Sequence, residues 1–162
     1  VSIEHATGGV HAGTEIEVAG YPLRLDRTYD PDTHMWVMTK PDGLVRIGLD
    51  ALTADTYGSL AQIVMSAPGV PVERGDPFGS LEAAKFVGPL SSPLSGLVAE
   101  VNSAVLDDPE LVLRDPYGAG WLVELDPTEL ADEGDLLVGD DVARTWFAQA
   151  VVEHREKGLV AE

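Results

Sequence analysis

No cysteine occurs among the 162 residues, which removes disulfides, thiolate nucleophiles and cysteine-ligated metals from consideration. Basic side chains are scarce, with 10 Lys and Arg against 28 Asp and Glu and a formal net charge of −18. Nucleic acids and anionic membranes are both bound through Lys and Arg, so neither is an expected partner. The same imbalance favours steering toward basic faces on partner enzymes. No apolar run approaches the ~20 residues that cross a bilayer. A basic n-region followed by an apolar h-region is also missing, so no secretion signal is expected and the location is expected to be cytoplasmic.

Several catalytic signatures are absent as well. There is no phosphate-binding G-x-x-x-x-G-K-[ST] and no G-x-S-x-G elbow. Gly118-Ala119-Gly120 lacks the rest of a dinucleotide fingerprint and reads as a tight turn. Asp30-Pro31-Asp32 lacks the Gly and terminal Glu of a calcium loop. His5, His11, His34 and His154 are dispersed, and no metal site is expected from them. His34 reads as a packed, hydrogen-bonded ring or as a residue lining a cleft.

What remains is a succession of short apolar runs separated by turn residues. Met35 to Met38 and Leu44 to Ile47 flank a Pro41-Asp42-Gly43 turn. Glu15-Ile16-Glu17-Val18 alternates like a strand or hairpin arm. Leu49 to Tyr57 has neither Pro nor Gly and fits a short helix stopped by Gly58. Strands are expected over Leu60 to Met65, around Phe78 to Leu81, over Leu97 to Val101 and over Gly120 to Leu125. Val105 to Pro109 reads as a loop entering a helical turn. Many short, punctuated strands indicate a sandwich or barrel. The period then changes. Val138, Val142, Trp146 and Ala150 recur every fourth residue, giving an amphipathic helix over about 140–157 with Asp140 and Asp141 at its start. Trp146 and Phe147 are its expected core anchors. Gly43-Leu44-Val45 is echoed by Gly96-Leu97-Val98.

The most informative segment is Gly79-Ser80-Leu81-Glu82-Ala83-Ala84-Lys85, followed by Pro93-Leu94-Ser95-Gly96. One amine sits alone between two apolar runs, with a glutamate three residues before it. From about Tyr29 to Leu130 the chain resembles the H-protein family of the glycine cleavage system. The resemblance is carried by His34-x-Trp36, Leu81 to Lys85, Pro93 to Gly96, Glu100-Val101-Asn102, Asp108-Pro109, and Asp115-Pro116-Tyr117-Gly118-x-Gly120-Trp121, in that order. It implies a mainly β fold, a hybrid of barrel and sandwich with short helices and a C-terminal amphipathic helix. The expected organisation is an N-terminal extension over 1–27, a lipoyl-carrier domain over 28–130, and a C-terminal helix over 131–162 packed on it. It further implies a non-catalytic carrier with lipoate amide-linked to Lys85, the cofactor doing the chemistry. Glu82 is then a feature recognised by the lipoate-attaching enzyme. Biotin is disfavoured because Ala84 and Phe86, and not methionines, bracket the lysine.

The family's arm cleft carries a carboxylate between the His and the Trp, and an aspartate shortly after the modified lysine. Here these places hold Met35 and the acid-free Phe86-Val87-Gly88-Pro89-Leu90. A cleft of Thr33, His34, Met35, Phe86 and Val87 would suit an apolar or sulfur-rich adduct, unless Asp30 or Asp32 supplies the acid. Lys85-Phe86-Val87-Gly88-Pro89 is also similar to the Lys-Trp-Val-Gly-Pro of lipoate-binding proteins in the sulfur-oxidising, heterodisulfide-reductase-like pathway. The expectation is therefore a lipoate-binding protein of sulfur oxidation, its partners the heterodisulfide-reductase-like complex. The alternative is a glycine cleavage H protein that shuttles an aminomethyl group between glycine cleavage enzymes. A third reading is an interaction protein with the same fold and an unmodified Lys85.

Overall fold

The computed structural model describes residues 14–161; His5 and His11 lie outside them. β1 (Glu15–Val18) and β2 (Tyr21–Arg24) form a hairpin across Ala19-Gly20, with φ of 53° and 96°. Positive φ at both central residues matches the turn to the right-handed twist of the strands. The alternating segment from Glu15 is thus a hairpin arm, as expected.

A six-stranded antiparallel sheet follows, in the order β3-β4-β5-β11-β10-β7. Its strands are β3 (Thr28–Tyr29), β4 (Met35–Thr39), β5 (Val45–Leu49), β7 (Pro71–Val72), β10 (Gly96–Val101) and β11 (Val123–Pro127). A three-stranded sheet, β6-β8-β9, packs against it, made of β6 (Leu60–Met65), β8 (Pro77–Ala83) and β9 (Phe86–Ser91). Phe78, Leu81 and Leu90 from the smaller sheet meet Val45, Ile47, Val98, Val123 and Leu125 from the larger one in the main core. Each large apolar side chain withdrawn from water in this way contributes about 1.5–3 kcal/mol. The sequence echo has a structural counterpart, because Val45 and Val98 pair with Leu125 from opposite sides.

β4 is buried on both faces. Met35 and Val37 enter the main core, while Trp36 enters a second core with Tyr29, Leu52, Tyr117, Phe147 and Val151. That second core lies under α5 (Asp140–Glu156), within a residue of the expected helix. Phe147 is fully buried, whereas Trp146 is half-buried and packs on Tyr29 and His34.

The short helices are local events. α1 (Ala51–Tyr57) starts where the Asp50 carboxylate accepts from the Thr53 amide at 2.8 Å and ends at Gly58. α2 (Ser103–Asp107) replaces the loop expected from Val105. The Asn102 side chain caps it by accepting from the Ala104 amide at 3.1 Å. α3 (Leu111–Arg114) and α4 (Leu130–Glu133) are single turns. The strand expected from Gly120 begins only at Val123, because the Gly120 and Trp121 amides are taken by Asp115 and Gly118 carbonyls. Among the described residues no helix is long and apolar enough to cross a membrane. The architecture is the barrel-sandwich hybrid with short helices and a C-terminal amphipathic helix.

Candidate functional site

β8 and β9 pair from Pro77↔Ser91 to Ala83↔Phe86, leaving Ala84 and Lys85 as a two-residue turn. Neither residue has a positive φ, so the turn lacks the primed geometry that hairpins favour. It is held from outside the hairpin instead. The Ala84 amide donates to the Ser59 carbonyl at 2.8 Å, and the Lys85 amide to the Tyr57 carbonyl at 2.9 Å. Those carbonyls flank Gly58, whose φ of +77° turns the chain out of α1. A Cβ on Gly58 would lie 3.7 Å from Cγ and Cε of Lys85, so the lysine stem rests against this glycine. Tyr57 and Phe86 stack face to face, with centroids 4.3 Å apart and planes 9° from parallel. Backbone and rings therefore fix the base of Lys85 while its side chain stays exposed.

The amine is also free electrostatically. Of three lysines, Lys40 is held by Glu124 and Asp42, whereas Lys85 pairs with no carboxylate among the described residues. Glu82 is exposed on β8 opposite Val87 and pairs with no cation among the described residues. A groove of about 380 Å³ begins at Gly58 and Ser59 and runs along α1 past Ala54, Asp55 and Ala51 to Pro22, with Leu113, Arg114 and Pro116 also lining it. One oxygen of Asp55 accepts from the Tyr21 hydroxyl at 2.5 Å. Burial, followed by this bond to Asp55, pushes the Tyr21 hydroxyl up to about 12, which keeps it a donor.

The five residues expected to form one cleft are not brought together. Met35 is 2% exposed and lies in the main core. Phe86 is stacked on Tyr57, and Val87 stands 75% exposed on the outer face of the hairpin. Thr33 donates to the buried Asp30 at 3.0 Å. The His34 ring packs between Trp146 and His154, with centroids 4.8 and 5.7 Å away, and its Nδ1 meets Asp50 at 2.8 Å. Burial alone would lower the His34 pKa. The Asp50 hydrogen bond and charge, helped by Asp30, reverse this and raise it. Asp30 and Asp32 are not free acceptors either: Arg74 bridges Asp30 at 2.9 Å and approaches Asp32 at 3.6 Å. In the sequence Gly58 signals only a helix stop, and Tyr57 and Ser59 carry no signal at all.

A model of the family described as Glycine cleavage H-protein matches residues 27–149. The chain belongs to that family. It is 33% identical over 129 residues to the Glycine cleavage system H protein 2 of Aquifex aeolicus, covering 79% of this chain and 80% of that one. The Glycine cleavage system H protein of Bifidobacterium longum is 41% identical over 126 residues, covering 76% and 90%. A crystal structure of the H protein of Mycobacterium marinum superposes with a TM-score of 0.68 at 34% identity, covering 79% of this chain and 98% of that chain.

As a glycine cleavage H-protein family member the chain is a non-catalytic lipoyl carrier, and lipoate on a lysine is its cofactor. The expected sulfur-oxidation branch gains no support from these relatives, which carry glycine cleavage names. That expectation rests on the Lys85-Phe86-Val87-Gly88-Pro89 stretch and on two missing acids, one of them at Met35, and Met35 faces the core because β4 is covered on both sides. The family match begins at residue 27, so the β1–β2 hairpin lies before it.

Proposed function

We propose that the protein is the lipoyl carrier of a glycine cleavage system, with lipoate amide-linked to Lys85. The observation that carries this is the geometry of the turn: a fixed backbone, an exposed amine and no carboxylate neutralising it among the described residues. Such a lysine fits acylation, because an enzyme reaches the amine without first breaking an ion pair. Conversion to an amide also removes its charge. When bound, the dithiolane supplies a disulfide that opens to accept a one-carbon amine.

The chain's own residues orient and receive. Tyr57, Gly58 and Ser59 hold the turn, and Gly58, lacking a side chain, lets the Lys85 stem lie close against the end of α1. Glu82 is the residue by which the attaching enzyme reads the hairpin. A cationic amine needs a charge-assisted acceptor, and the groove beside Gly58 offers Asp55, with one oxygen engaged by Tyr21. Arg114 also lines this groove and is engaged by Asp108, which leaves Asp55 to supply the amine with the acid that the segment after Lys85 lacks.

Intact mass spectrometry of protein incubated with lipoate, ATP and a lipoate ligase tests the attachment, with Lys85→Arg as control. A lipoyl-sized gain is expected in the wild type alone. The loaded protein then receives glycine and glycine decarboxylase, and transfer of the aminomethyl mass is expected. A gain that survives Lys85→Arg refutes the site, and a lipoylated protein that takes nothing from glycine refutes the pathway.

A further inference from the structure

The outer face of the β6-β8-β9 sheet carries two cross-strand rows. Gln62, Glu82 and Val87 form the row next to the Lys85 turn, and Val64, Ser80 and Pro89 form the next. In the second row the central side chain is only a serine, flanked by Val64, 52% exposed, and by Pro89. Beyond it the backbone itself forms the floor. A Cβ on Gly79 would meet the Val64 carbonyl oxygen at 2.3 Å, and Gly88, whose pairing with the buried Leu81 turns its α-carbon toward the core, presents backbone to the outer face. The result is a trough of about 620 Å³ between Met65 and Pro89. It is continued toward the turn by a groove of about 180 Å³ that shares Val64, Ser80 and Gly88 and reaches Glu82 and Val87. Among the described residues Glu82 is the one charged residue lining the two.

We propose that this trough is the docking surface for the enzyme that acylates Lys85, which places an apolar side chain between Val64 and Pro89 and a basic side chain against Glu82. The inference rests on the reading of Lys85 as the attachment site. Its argument is continuity and charge. The turn follows the Glu82–Val87 pair by one further pair, Ala83–Phe86, so an enzyme that reaches the amine covers this ladder. An exposed apolar surface beside a reactive group is the type of patch that marks a protein contact. Val87, 75% exposed, is the most exposed of the large apolar side chains described. In a chain of net charge −18, Glu82, between Gln62 and Val87 and paired with no cation among the described residues, selects a basic residue in the partner. In the reaction, Nζ attacks the carbonyl carbon of lipoyl adenylate, the amide C–N bond forms, adenylate leaves, and the amine proton passes to solvent. The trough supplies position only.

The probe is an ATP-dependent lipoate ligase with lipoate and ATP, assayed by lipoyl incorporation over a range of carrier concentrations. Wild type is compared with the double variant Val64→Ser, Val87→Ser and with Glu82→Gln. Loss of a central apolar contact is expected to raise KM for the carrier about tenfold in the double variant, with kcat unchanged. Both valines are exposed, so an unchanged Tm accompanies the result. An unchanged KM overturns the docking surface while leaving Lys85 as the site. Lipoylation that shifts the Val64 and Ser80 amide resonances of the isolated protein gives the trough to the arm, and overturns it too. Self-association lost in the double variant would assign the face to a second copy, which equally overturns the docking surface. A wild type that gains no lipoyl mass instead refutes the assignment of Lys85.

Discussion

Asp50 has two duties at the start of α1, and removing them separately tests how the helix beneath Lys85 is held. Its carboxylate is fully buried; Oδ1 accepts from the Thr53 amide at 2.8 Å and Oδ2 meets His34 Nδ1 at 2.8 Å. Asp50→Asn keeps an oxygen for the Thr53 amide but loses the charge facing His34. A hydrogen bond to a charged group contributes about 1.5–3 kcal/mol, so a loss of about 2 kcal/mol is expected. Asp50→Ala removes the helix cap as well, worth about 1 kcal/mol, for a total near 3 kcal/mol, by rough addition. The pH dependence discriminates further. In the wild type the His34 pKa is raised, against its burial, by Asp50 and Asp30. Its contribution to stability is therefore fully present below the unfolded value of about 6.5 and is lost as pH rises through the folded value. In Asp50→Asn burial remains while the main opposing influence is gone, and Asp30 is engaged by Arg74. The folded pKa then falls below about 6.5, and stability is lost as pH falls. Urea unfolding between about pH 5 and pH 8.5 measures both slopes, with NMR titration of the imidazole alongside. An Asp50→Asn protein that keeps the wild-type slope, or loses less than about 0.5 kcal/mol, refutes this account.

Gly58→Ala is expected to cost about 1–3 kcal/mol, because Gly58 occupies a region of positive φ that side chains disfavour. The Ala84 and Lys85 amides, whose acceptors flank Gly58, should lose protection in hydrogen exchange, and unchanged protection would show that the turn does not depend on this segment. Phe147→Ala, at a fully buried position under α5, is expected to cost about 3–5 kcal/mol in chemical denaturation. A loss below about 1 kcal/mol would mean that α5 is not anchored through this ring.

Turn chemistry makes much of the β architecture legible. Pro41-Asp42-Gly43 and Gly58 stand where the chain reverses or leaves a helix, and the four-residue period from Val138 locates α5. β9 is obscured because Gly88 and Pro89 interrupt the pattern of a strand. Its register comes from pairing with β8 and not from its own propensity. α2 is hidden for a different reason: a five-residue helix has little periodicity, and its start depends on the Asn102 side chain. Lys85 stands out from its neighbours in sequence. The surroundings of His34 do not, since Asp50, Trp146 and His154 reach it from three separate places in the chain. Met35 shows the limit most clearly. A family position suggests a cleft, whereas burial on both faces of β4 turns the side chain inward.

The two amide hydrogen bonds at the tip of the β8–β9 hairpin also bear on encounter frequency. With the Ala84 and Lys85 amides committed to carbonyls on either side of Gly58, the pivot of anything attached to Lys85 is tied to the end of α1. The accessible volume is then set by tether length and by the surface beside the pivot, and with it the local concentration presented to a docked active site. A pivot that wandered would spread the same cargo through a larger volume and lower that concentration with no change in contact chemistry. Stiffness at two backbone hydrogen bonds thus becomes a kinetic property of whatever the lysine carries.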